Sequence, residues 1–69
     1  IDALDRDLLQ TAARRMALVA EVAAYKRAHG LRVRDPARER ALLDDRARAA
    51  EALGLPAGEM ESVFRVLLR

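Results

Sequence analysis

A stretch of 29 residues without glycine or proline opens the sequence and limits the folds open to it. Aliphatic residues recur along this stretch at helical spacing and form an apolar stripe on one face. The stripe consists of Ile1, Leu4, Leu8, Ala12, Val19 and Val22. A helix of this length measures about 43 Å, whereas a compact globule of 69 residues is about 28 Å across. We therefore expect a second copy of the chain, packed antiparallel, to cover the outer half of the stripe.

Local signals divide the remainder of the chain into two further helices. Gly30 stands where a left-handed cap ends a helix, and Asp35-Pro36 pairs an N-cap residue with proline at the first helical position. We predict a second helix from Pro36 to about Leu53, ended by Gly54, and a third that begins at Leu55-Pro56. The third helix has apolar residues at helical spacing, of which Met60 and Phe64 are expected in the core. The sequence thus predicts an all-α fold with three helices per chain in a helical homodimer.

Composition excludes several classes of function. The chain has no cysteine and one histidine, which excludes disulfides, thiolate metal sites and a cysteine nucleophile; we expect neither a metal nor a cofactor. The net charge is +2, and because the cations alternate with acids, no basic patch for nucleic acid is expected. The longest apolar run, Met16 to Ala20, is too short to span a membrane. We expect a cytoplasmic protein.

Two cations interrupt the apolar stripe of the first helix. Arg15 and Lys26 are 11 residues apart, which places them almost in line and about 16 Å apart along the helix axis. A buried cation without a partner is costly, so these residues either pair with carboxylates or bind an anion. Lys26 is the single lysine among 13 cations, and a compact ammonium differs from a planar guanidinium in what it can bind. In the simpler interpretation Arg15 extends to the edge of the stripe or pairs with an acid, and Lys26 complements the helix dipole.

The start of the second helix offers a similar set of charged residues. Asp35, Arg38 and Glu39 flank one face at the N-terminal end, where helix amide groups favour an anion. Asp35 is also an ordinary N-cap, and Arg38 and Glu39 are also typical of a solvated first turn. The residues alone leave both interpretations open.

Together these positions form a pattern that extends over essentially the whole chain. The pattern is Ile1-Asp2-x-Leu4-Asp5-x-x-Leu8-Leu9, then Arg15, Lys26, Val33-Arg34-Asp35-x-x-Arg38-Glu39 and a late Phe64. It resembles the all-helical (type II) chorismate mutases. The resemblance implies an intertwined antiparallel homodimer whose long first helix is shared by two active sites. It also implies the Claisen rearrangement of chorismate to prephenate, on the route to phenylalanine and tyrosine.

The resemblance implies a role for each charged residue toward a small dianionic substrate. Arg15 would grip a substrate carboxylate, and Lys26 would hydrogen-bond the ether oxygen whose bond breaks. Arg38 would add to the positive electrostatic field at the substrate. Glu39 would bind the ring hydroxyl, assisted by the backbone at Asp35. Such a pericyclic reaction requires no metal, nucleophile or redox group.

The family also has an arginine about three residues before the position of Ile1 and polar residues just beyond that of Arg69, which this sequence does not contain. We therefore expect residues 1–69 to be a single domain and the ordered part of a longer chain. Two alternatives remain open at this point. One is an isochorismate pyruvate lyase of the same fold. The other is a non-catalytic dimerisation or regulatory module fused to an aromatic-pathway enzyme.

Overall fold

A computed structural model describes residues 1–68, and within them it contains three α-helices and no strand. The helices are α1, Asp2–Ala28, α2, Pro36–Ala52, and α3, Ala57–Leu67. These bounds confirm the predicted all-α class and lie within two residues of the predicted ends. The chain divides into two compact units, residues 1–33 and residues 34–68. Within residues 1–68, none of the helices has both the length and the hydropathy needed to cross a membrane.

The first unit consists of α1 and the turn that ends it. Gly30 has a φ of 66°, and its N–H donates to the carbonyl of Arg27 at 3.3 Å. The next N–H, that of Leu31, donates to the carbonyl of Lys26 at 2.7 Å. This pair of bonds is a Schellman cap, which requires a left-handed residue and therefore favours glycine. The predicted end of the helix is thus confirmed together with its cause.

His29 lies at the C-terminal end of α1. Its ring stacks on the ring of Tyr25, one turn earlier, with 4.0 Å between the ring centroids. Its Nδ1 also lies 2.9 Å from the carbonyl oxygen of Tyr25. Both contacts lie within the last turn of α1 and close it locally.

In the second unit, α2 begins and ends with the expected local signals. The N-cap Asp35 has extended backbone angles, and its Oδ1 accepts the N–H of Arg38 at 3.1 Å. Pro36 follows at the first helical position, where its missing N–H costs nothing. At the other end Gly54 has a φ of 76°, and the N–H of Leu55 donates to the carbonyl of Ala50 at 2.9 Å. This second Schellman cap turns the chain into α3.

The hydrophobic core of the second unit lies between α2 and α3, which pack against each other. Leu43 and Ala50 of α2 are 3% and 6% exposed, and they are the buried residues of the part of the chain described by the structure. The sequence predicts Met60 and Phe64 of α3 in the core, but both are only half-buried. Two packed helices cover one face of each other, so the flanks of a side chain on that face stay open to solvent.

An ion-pair network joins the two helices of the second unit. Arg40 of α2 contacts Asp44, one turn later, at 2.8 Å and also pairs with Glu61 of α3. Arg65 reaches the same Glu61 at 3.2 Å. Hydrogen bonding by Arg40 lowers the pKa of Glu61 below its ordinary value and raises the pKa of Arg40. The sequence alone does not predict this network, because the register of α3 on α2 decides which charges meet.

Candidate functional site

Arg15 and Lys26 lie on a half-buried line along α1. The line also contains Ala12, Val19 and Ala23, and its members fall within about 80° of arc around the helix. The other charged residues of α1 are all exposed. The two cations that the sequence singles out are therefore the ones that are partly removed from water. Burial of this kind strengthens the interaction of a cation with an anion.

At its exposed end the apolar stripe of α1 has little cover. Ile1 is 94% exposed, and Leu4 and Leu8 are each 68% exposed. No residue of α1 is buried. Apolar residues at helical spacing are thus exposed at the N-terminal end of α1.

Asp35, Arg38 and Glu39 meet in the first turn of α2, as predicted. Asp35 is engaged twice, since its carboxylate accepts the N–H of Arg38 and its carbonyl accepts the N–H of Glu39 at 2.9 Å. The N-cap interpretation of Asp35 is thus confirmed, and its side chain fixes the turn that carries the other two residues. The Arg38 side chain lines an open depression of about 270 Å³ together with Leu42 and Arg46.

Glu39 has a partner that the sequence analysis missed. Its Oε2 accepts a hydrogen bond from the guanidinium of Arg34 at 3.3 Å. Arg34 precedes the N-cap, and Glu39 is the fourth residue of α2. These two positions face each other across a helix start, and in many helices a pair of hydrophobic residues occupies them. The N-cap at Asp35 was therefore a signal from which this pairing could have been predicted.

The predicted site residues thus form two groups, one in each unit. Arg15 and Lys26 share a line on α1, and Asp35, Arg38 and Glu39 share a turn of α2. The catalytic and binding roles of all five stay predictions. The polar residues expected beyond Arg69 lie outside the described residues.

Comparison with known proteins places the whole chain in one family. The family model described as chorismate mutase type II matches residues 1–69. Two curated relatives, each named T-protein, come from Enterobacter agglomerans and Haemophilus influenzae. Each is 44% identical over 69 residues, which is all of this chain but only 18% of the relative. No solved structure matches the chain. The chain belongs to the chorismate mutase type II family.

Proposed function

We propose that this chain catalyses the rearrangement of chorismate to prephenate as part of an intertwined antiparallel homodimer. The observation that carries the proposal is the match of the type II family over the whole chain, joined with the half-burial of Arg15 and Lys26 alone among the charged residues of α1. The reaction belongs to the route to phenylalanine and tyrosine. We also propose a cytoplasmic location, as for other enzymes of amino-acid biosynthesis.

The cations of α1 suit a small substrate with two carboxylates. A guanidinium holds a carboxylate through two parallel hydrogen bonds, which is the role proposed for Arg15. Lys26 lies about 16 Å farther along the axis, and its compact ammonium is proposed to donate to the ether oxygen of the substrate. Negative charge grows on that oxygen as its bond to carbon breaks, so a fixed cation there stabilises the transition state more than the ground state.

The resemblance to the family also gives roles to residues in the first turn of α2. Arg38 adds a positive charge near the helix N-terminus, where the backbone dipole also favours an anion. Glu39 is proposed to accept a hydrogen bond from the ring hydroxyl of the substrate. The backbone at Asp35 is proposed to assist Glu39 in this contact. The Asp35 carboxylate also holds the turn in place, since it accepts the N–H of Arg38.

The reaction itself requires little chemistry from side chains. The enolpyruvyl arm of the substrate must be held over its ring so that one bond forms while the other breaks. Holding two reacting groups in such a geometry supplies much of the acceleration of an intramolecular reaction. The proposed roles match this task, because they assign residues to both ends of the substrate and to the breaking bond.

The exposed surface of α1 supports the proposed dimer. This helix has 27 residues and is about 40 Å long, and its stripe from Ile1 to Leu8 is exposed. A twofold interface places the same patch of both copies in contact. A second α1 packed antiparallel would therefore cover the exposed stripe of each copy.

Chorismate turnover tests the proposed function. We would mix the full-length protein with chorismate and follow the loss of chorismate absorbance, with isochorismate in a parallel reaction. The proposal predicts enzyme-dependent loss of chorismate without release of pyruvate. Pyruvate release from isochorismate would instead indicate a lyase, and no acceleration with either substrate would indicate a non-catalytic module.

A further inference from the structure

We propose that Arg34 is a positioning residue for substrate binding, which acts by holding Glu39 in a fixed orientation. This inference rests on the proposed function, because it concerns the hydrogen bond from Glu39 to the ring hydroxyl of the substrate. The resemblance to the family gave Arg34 no role. The inference starts from the ion pair between these two side chains.

The contact leaves one carboxylate oxygen of Glu39 available. Arg34 donates to Oε2 at 3.3 Å, and within residues 1–68 no side chain or backbone group donates to Oε1. The substrate hydroxyl can therefore donate to Oε1 while Arg34 keeps its hold on Oε2. A carboxylate can accept several hydrogen bonds at once, so Arg34 and the substrate do not compete for the same lone pair.

The backbone around Asp35 determines where Arg34 lies. The N-cap Asp35 is extended, with φ −133° and ψ 95°, and its side chain closes the first turn of α2. This turn brings the residue before the N-cap next to the fourth helical residue. Arg34 is therefore directed back over the turn toward Glu39 by the same cap that holds Arg38 in place.

The exposure of the two side chains indicates which of them is held in place by the contact. The Arg34 side chain is 81% exposed, whereas the Glu39 side chain is 33% exposed. An ion pair of an exposed guanidinium contributes little to the stability of the fold. The contact instead restricts the flexible Glu39 side chain before the substrate binds. If the substrate had to order this side chain on binding, its affinity for the protein would be about two- to tenfold lower.

The inference predicts a change in KM rather than in kcat. The ring hydroxyl keeps its bonds during the rearrangement, so its hydrogen bond is present in both the ground state and the transition state. Loss of binding that both states share raises KM and leaves kcat unchanged. For Arg34→Ala we expect KM to rise about three- to fivefold, the size typical of one exposed ion pair, with kcat within about twofold of the wild type.

A double-mutant cycle in the full-length protein tests the inference. The variants are Arg34→Ala, Glu39→Gln and the two combined, assayed with chorismate. If Arg34 acts through Glu39, its replacement will raise KM in the wild-type background and leave KM unchanged in the Glu39→Gln background. Arg34→Lys should restore KM to within about twofold of the wild-type value, because a single contact to Oε2 does not require a planar guanidinium. Arg32→Ala is the matched control, since Arg32 is an exposed arginine of the same connector and its loss should leave KM unchanged.

Four outcomes would overturn the inference. An equal rise in KM in the Glu39→Gln background would show that Arg34 contacts the substrate itself. Equal effects of Arg34→Ala and Arg32→Ala would show a general effect of positive charge. Absence of turnover in the wild-type protein would overturn the proposed function and this inference with it, whereas a normally active Arg34→Ala protein would overturn this inference alone.

Discussion

Replacement of Lys26 by methionine separates a structural role of this residue from a catalytic one. Lysine and methionine have similar helix propensities, so α1 should form equally well. The cap at the end of α1 should also survive, because the backbone carbonyl of Lys26 and not its side chain accepts the N–H of Leu31. What the variant removes is the ammonium of a half-buried residue in the last turn of the helix.

The two roles predict effects of different size. A cation that only complements the helix dipole contributes about 0.3–1 kcal/mol to stability, and part of this is offset because a half-buried charge loses hydration. A cation that donates to the ether oxygen in the transition state contributes about 2.7–4 kcal/mol to catalysis. We therefore expect Lys26→Met to lower kcat about 100-fold or more, with the free energy of unfolding changed by under about 1 kcal/mol.

Arg27→Met is the matched control for this experiment. Arg27 lies in the same last turn of α1 but is exposed, so its loss should weaken the dipole interaction equally and leave turnover intact. We would measure chorismate turnover and the melting temperature for both variants of the full-length protein. Lys26→Arg should not restore activity, because a planar guanidinium does not fit the place of a compact ammonium. Normal turnover by Lys26→Met, combined with a lower melting temperature, would refute the catalytic role.

Four further predictions concern substrate binding, assembly and stability. Arg15→Lys should raise KM for chorismate about tenfold through loss of a bidentate grip; an unchanged KM would contradict this. Leu8→Asp should shift the protein toward monomer in sedimentation, whereas Gln10→Asp on the opposite face should not; equal behaviour would contradict the proposed interface. Gly54→Ala should lower the free energy of unfolding in urea by about 1 kcal/mol, because a φ of 76° strains alanine; full stability would contradict this. The lowered pKa of Glu61 contributes stability that is present above about pH 4.3 and is lost as the pH falls through the folded-state pKa. Glu61→Gln should therefore make the free energy of unfolding less dependent on pH in the acid range; an unchanged pH dependence would contradict this.

The helices could be predicted from the sequence because local residues determine their ends. Gly30 and Gly54 each take the left-handed conformation that a Schellman cap requires. Asp35 caps α2 through its own side chain. Each of these signals acts over a few residues and depends little on the remainder of the fold.

Contacts that depend on packing could not be predicted in the same way. The pairing of Arg40 with Glu61 joins residues 21 positions apart and requires the register of α3 on α2. The half-burial of Phe64 depends on how much of its surface α2 covers. The pairing of Arg34 with Glu39 belongs with the local cases, because the N-cap at Asp35 implies the proximity of these two residues and the sequence gives their opposite charges.

The identity of the reaction product tests the central claim most directly. A proton NMR time course of chorismate with the full-length protein would follow substrate and product in one sample. The account predicts that prephenate replaces chorismate at a rate proportional to enzyme concentration, with no pyruvate formed. Chorismate that persists at the rate of the enzyme-free control, or conversion to any other product, would contradict the account.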